Sequence, residues 1–100
     1  MDFLLKYNMT SDDIDKIINA NDKAIINNIV INKHNVQEIV EYLLDLGVKN
    51  ESIKELFILQ IGMFFKSKKE ISQAFEEYEL DSIVKSLNYD VNTFDLIEFV

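Results

Sequence analysis

Apolar positions in this chain recur three and four residues apart almost from end to end. Val36, Ile39, Val40, Leu43 and Leu44 make one continuous face of an α-helix. Asn35 precedes that run where an N-cap is wanted, and Glu38 follows it at capping-box spacing. Gly47 ends the run, at the place where a left-handed C-cap is needed. The same grammar repeats elsewhere. Ile14, Ile17 and Ile18 follow Thr10 and Ser11; Ile25, Ile26, Ile29 and Val30 follow Asn21 and Asp22; Ile53, Leu56 and Phe57 follow Asn50 and Glu51. Ser67 with Glu70 makes a second capping box ahead of Ile71, Ala74, Phe75 and Tyr78. Leu80, Ile83, Val84 and Leu87 continue the period from a cap near Asp81, and Asn92 or Thr93 opens a last short helix carrying Phe94, Ile97 and Val100. Alternating runs are few, and no Asn-Gly or Asp-Gly turn is present. The pattern predicts an all-α fold of about seven to nine helices of about 8–12 residues, each too short to be stable alone in water. Their stability must come from packing apolar faces on one another, at about 25 cal/mol per Å² buried.

The spacing also repeats over a longer range. Residues 3–18, FLLKYNMTSDDIDKII, lie on residues 42–57, YLLDLGVKNESIKELF, without a gap. Phe3 meets Tyr42, Leu4 meets Leu43, Leu5 meets Leu44, Tyr7 meets Leu46 and Met9 meets Val48. Ile14, Ile17 and Ile18 then meet Ile53, Leu56 and Phe57. Asn8 faces Gly47, and these are the two residue types that best tolerate a left-handed backbone. A weaker third copy is expected from Ile83, where Leu87, Asn88 and Tyr89 echo Leu46, Gly47 and Val48. This reading treats residues 1–100 as a single domain with repeats at about 3–41, 42–82 and a partial 83–100, stacked in series.

The stretch LLDLGVKNESIKELF, a leucine-rich turn with Gly followed by a newly capped helix, resembles the helical repeat of the mitochondrial transcription termination factor (mTERF) family. The resemblance covers about two repeats. It implies two antiparallel helices and a short 3₁₀ or α segment per repeat, stacked into a curved solenoid of right or left hand. On this sequence those pieces would be Val36–Leu46, Glu51–Leu59 and Ile61–Phe65. The family also implies nucleic-acid binding through basic surfaces. Two departures stand against it: Gln60 and Ile61 occupy the place of the family's usual proline, and the chain is acidic.

Composition narrows the chemistry. The 100 residues are 48% hydrophobic and 28% charged, which suits one soluble domain. There is no cysteine, so a disulfide framework, a thiolate metal site and a cysteine nucleophile are excluded. His34 is the one histidine, and its place between Lys33 and Asn35 reads as a surface loop ahead of a helix. No phosphate-binding loop, dinucleotide fingerprint or nucleophile elbow is present, so neither an enzyme nor a bound cofactor is expected. No run reaches the about 20 apolar residues that span a bilayer, and the start of the chain lacks the order of a secretory signal. A cytoplasmic protein without a membrane contact is the expectation. The bias toward Ile, Asn and Lys, with no Arg or Pro, suits an AT-rich coding genome such as a low-GC bacterium or a mobile element.

Charge sets the partner. The net charge is −8, and all ten cations are lysine. A nucleic-acid binder without arginine would forgo bidentate phosphate and guanine contacts and oppose its own field. The acid is concentrated in the C-terminal third, where Glu70, Glu76, Glu77, Glu79, Asp81, Asp90, Asp95 and Glu98 face a single cation, Lys85. Two readings stand for that tract: a solvated face that aids solubility, or a docking face for a protein with a basic surface. The second makes the chain a small inhibitor or adaptor whose carboxylates imitate phosphate, with Glu70, Glu76, Glu77, Glu79, Asp81, Asp90 and Asp95 as its contacts. The rival is mTERF-like nucleic-acid binding through Lys66, Lys68 and Lys69.

Other features carry paired readings as well. The stretch LFILQIGMFF, residues 56–65, reads either as the buried centre of the domain or as an apolar surface in which Met63, Phe64 and Phe65 anchor a partner or a second copy. Asp12, Asp13 and Asp15 suit the positive end of a helix. Tyr7, Tyr42, Tyr78 and Tyr89 mostly follow apolar stripes, as core-edge residues do.

Overall fold

Reciprocal bonds between side chain and backbone open two of the α-helices. Thr10 Oγ1 accepts from the Asp13 amide at 3.1 Å while Asp13 Oδ2 accepts from the Thr10 amide at 3.0 Å, and the helix Ser11–Ala20 follows. Ser67 and Glu70 make the same reciprocal pair, at 3.0 and 3.1 Å, ahead of the helix Lys68–Glu76.

The computed structural model describes residues 1–99. Its elements run in the order η1 (3₁₀, Asp2–Tyr7), α1 (Ser11–Ala20), α2 (Lys23–Ile31), α3 (Lys33–Leu46), α4 (Asn50–Leu59), η2 (3₁₀, Ile61–Phe65), α5 (Lys68–Glu76), α6 (Leu80–Tyr89) and η3 (3₁₀, Val91–Leu96). The described residues contain no strand, so the fold is all-α. Among the described residues no helix is long and apolar enough to cross a membrane. Val100, expected to close the last apolar series, lies outside the described residues.

The predicted faces form the core. Ile17, Ile29, Ile39, Leu43, Ile53, Leu56, Phe57, Met63, Phe64, Ile71 and Phe75 are fully buried. At its centre Phe57 and Phe64 stack face to face, with ring centroids 3.9 Å apart and planes 1° from parallel. The Cα radius of gyration is 12.8 Å, close to the about 13 Å of a globular 100-residue domain. The helices therefore close on one core instead of extending as an open array.

The end of α3 is a Schellman turn. Val48 N–H reaches back to Leu43 O and Gly47 N–H to Leu44 O, both at 3.0 Å, with Gly47 at φ 107°. Asn8, its partner in the sequence repeat, is also left-handed, at φ 63°. Both turns deliver a buried residue (Met9 or Val48) and then a ten-residue helix. Asn88 departs from the expected third copy. It lies within α6, and its amide braces the Gly47 turn, accepting from Lys49 N at 2.9 Å and donating to Gly47 O at 3.1 Å.

A second recurrence has a different register. Helices α4 and α6 each span ten residues, and each is followed after one residue by a 3₁₀ helix. The junctions carry matching bonds: Gln60 N to Leu56 O and Asp90 N to Ser86 O at 2.8 Å, then Met63 N to Gln60 O and Thr93 N to Asp90 O at 3.0 Å. Ile53, Phe57 and Phe64 of the first pair occupy the buried positions of Ile83, Leu87 and Phe94 in the second.

Asn35 does not cap α3. The helix begins two residues earlier, at Lys33, with Asn32 O accepting the Val36 amide at 3.0 Å. The Asn35 side chain instead donates to Phe64 O at 3.3 Å and Lys66 O at 2.8 Å, satisfying carbonyls at the end of η2. His34 accordingly sits in the first turn of α3, exposed, and not in a loop.

Candidate functional site

Helix α5 turns its apolar stripe inward. Ile71, Ala74 and Phe75 are buried, with the Phe75 ring 6.2 Å from Tyr42 of α3. The stripe leaves Glu70, Gln73, Glu76 and Glu77 on the outer side, where they line a pocket of about 450 Å³ with Ala74 and Phe99. Phe99 is held there by Phe94, centroid to centroid at 5.3 Å, and Lys66 Nζ sits 4.1 Å from its ring centre. Glu70 also serves the helix, because its Oε1 accepts the Ser67 amide.

The pocket's carboxylates form no salt bridge, although Lys66 stands beside them over Phe99. Both ion pairs among the described residues belong to Lys54, with Asp13 at 3.4 Å and Glu51 at 3.1 Å. That leaves Glu70, Glu76 and Glu77 unneutralised by any salt bridge. The charge of Glu76 reaches α3, where burial first and then that charge raise the pKa of the Tyr42 phenol.

The seven acidic candidates divide among three places. Glu70, Glu76 and Glu77 share the pocket. Glu79 and Asp81 stand at the start of α6, as N-cap and first-turn residue, where they complement the helix dipole. Asp90 and Asp95 belong to η3: Asp90 accepts the Asn92 amide at 2.9 Å, and Asp95 accepts from Gln60 Nε2 at 3.1 Å. Gln73 and Phe99 complete the pocket and were not among the expected contacts. Gln73 stands three residues after Glu70 and could have been placed on its face; Phe99 is brought in from beyond η3 by tertiary packing, with no local signal.

Of the two readings of residues 56–65, the buried centre describes most of the stretch, and the apolar anchor loses Met63 and Phe64. Met63 and Phe64 are fully buried, because η2 folds back against α3 and α4 and Phe64 stacks on Phe57. Only Phe65 of that trio reaches the surface, at 43% exposure. Leu56 and Phe57 are buried as well, so the 56–65 stretch offers a partner or a second copy little beyond Leu59 and Phe65. Tyr89 also departs from its expected place at the core edge, being 93% exposed at the end of α6.

The three lysines do not form an open cationic trough. Lys66 lies over Phe99 of the acidic pocket, and Lys68 Nζ approaches Tyr42, at 5.9 Å from the ring centre. Lys69 is exposed in the first turn of α5. Among the described residues no three histidine or acidic side chains converge as a metal-holding group. Comparison with known proteins finds no matching family model, no matching curated protein and no matching solved structure.

Proposed function

We propose that this chain is a non-enzymatic protein-interaction module, an inhibitor or adaptor whose α5 pocket receives a basic side chain of its partner. The observation that carries this reading is the pocket itself: Glu70, Glu76 and Glu77 around one concavity, an aromatic ring in its wall, and no salt bridge to neutralise them. A lysine or arginine head finds there carboxylate partners, beside a ring whose near cation is the chain's own Lys66. The remaining acid at Glu79, Asp81, Asp90 and Asp95 extends the negative field along α6 and η3, which favours encounter with a basic surface. Spaced carboxylates of this kind let such a module occupy a site that otherwise takes phosphate.

One observation favours the second reading. The sets α3–α4–η2 and α5–α6–η3 each run helix, helix, 3₁₀, the order of an mTERF-like repeat. On that reading Lys66, Lys68 and Lys69 contact nucleic acid. The position of Lys66 against the acidic pocket and the net charge of −8 weigh against it.

Titration calorimetry with an oligo-arginine peptide, alongside mobility shifts with generic duplex DNA and RNA at low salt, separates the two. The interaction module binds the peptide, loses about tenfold or more in affinity on Glu76→Lys with Glu77→Lys, and ignores nucleic acid. Sub-micromolar, steeply salt-dependent nucleic-acid binding that falls on Lys66→Glu with Lys69→Glu would replace this reading with the second.

A further inference from the structure

A second cavity lies on different elements, between η1, α1 and α2. It has a volume of about 410 Å³ and is walled by Met1, Ile14, Ile18, Ile26 and Val30. The two helices leave it open for the same reason. Helix α1 commits Ile14 and Ile17 to the core and leaves Ile18, the next residue round, 40% exposed; α2 commits Ile26 and Ile29 and leaves Val30 40% exposed. Two branched apolar side chains therefore face water across a concave seam instead of standing singly on a convex surface, an arrangement that marks a binding groove.

Charge decides the occupant. The ionisable side chains that line the groove are Asp2 and Asp15, both carboxylates, and Met1 brings its α-ammonium to the same lining, leaving the carboxylates in excess. Lys6, Lys16 and Lys23, the lysines of the same three elements, are exposed and are not among its lining residues. A second copy of this chain would set like charges against each other and add another −8, so self-pairing is disfavoured. Space between two helices with an apolar wall and an acidic margin fits an amphipathic helix laid along it, its apolar residues at i, i+3, i+4 and i+7 filling the seam. We propose that the η1–α1–α2 groove docks a cationic amphipathic helix of a partner protein, with lysine or arginine beside that helix's apolar stripe meeting Asp2 and Asp15. Such a site gives the molecule a second face, separate from the α5 pocket, and suits an adaptor.

The test uses the full chain and a fluorescent synthetic helix of leucine at i, i+3, i+4 and i+7 with lysine elsewhere, followed by anisotropy. A companion peptide keeps the leucines and replaces lysine by glutamate. The groove predicts saturable binding of the lysine peptide that falls about tenfold or more on Asp2→Lys with Asp15→Lys, and likewise on Ile18→Glu. The charge-swapped variant, which leaves the apolar core untouched, should gain binding of the glutamate peptide, and circular dichroism checks that each variant keeps its helix content. Glu76→Lys with Glu77→Lys should cost the lysine peptide clearly less than either groove variant, since the α5 pocket also takes basic side chains but offers the leucines no seam. Absence of saturable binding would overturn the proposal. So would an α5 variant that costs as much as the groove variants, since the peptide would then sit at the other site. Self-association of the free chain that Ile18→Glu abolishes would make the groove a dimer interface, and the proposal would fall.

Discussion

The two glycines of this chain should respond to alanine with opposite signs. Gly47 holds φ 107° at the Schellman turn that ends α3, a conformation that L-residues enter only with strain. A Cβ built there would meet Val84 Cγ1 at 3.5 Å, an ordinary contact, so the cost lies in the backbone and not in a clash. That cost is about 1–2 kcal/mol, partly offset by the about 0.4–1 kcal/mol that alanine gains by restricting the unfolded chain. Gly62 lies in η2, is exposed, has no positive φ, and a Cβ there would find nothing within 4 Å. Gly62→Ala therefore keeps only the unfolded-state gain and should stabilise by about 0.4–1 kcal/mol. Gly47→Ala should destabilise by about 1 kcal/mol, equivalent to a fall in Tm of about 4–8 °C for a domain of this size. Urea titration followed by circular dichroism at 222 nm reads both, and an unchanged m-value would confirm that the denatured state is comparable. Equal and same-signed effects at the two glycines would refute the assignment of a left-handed backbone to Gly47 and not to Gly62.

Three further outcomes follow from the packing. Asn88→Ala removes both amide bonds that brace the Gly47 turn and should cost about 1–2 kcal/mol, while Asn88→Asp, which keeps the acceptor for Lys49 N, should cost less in the same urea assay. Phe64→Ala opens a cavity beneath the stacked Phe57 and should cost about 3–5 kcal/mol, read as a lower urea midpoint. The Thr10 amide, followed by the Thr10 hydroxyl and Lys54, holds the Asp13 carboxyl below its ordinary value of 3.8 against the opposing effect of burial. A depressed folded pKa adds stability that is present above 3.8 and lost as pH falls through the lower folded value, so Asp13→Asn should flatten the acid limb of stability measured from pH 5 to 2.

The helical class, the starts of α1, α2, α4 and α5, and the buried stripes were written locally. Thr10 with Asp13, Ser67 with Glu70, and apolar residues at helical spacing act over three or four positions, which a short window of sequence contains. The left-handed turns at Asn8 and Gly47 were equally legible, because few residue types accept that backbone. Decisions between distant segments were not. Asn35 has the spacing of a cap, yet its amide answers carbonyls at Phe64 and Lys66, because a polar group on a packed face takes whatever orphaned partner tertiary contact presents. Asn88 resembled a turn residue and instead serves the turn at Gly47. The 56–65 stretch left burial and exposure open; the stacking of Phe64 on Phe57 closes it inward, since an all-round apolar segment faces whichever neighbour offers the most apolar surface. The acidic tract was plain in the composition, but its division into a three-carboxylate pocket, a helix start and an η3 brace depends on α5 lying beside Phe99. The alternating commitment of Ile14 and Ile17 but not Ile18, and of Ile26 and Ile29 but not Val30, likewise depends on where the neighbouring helices stop, because a helix covers only the face against which another element is packed.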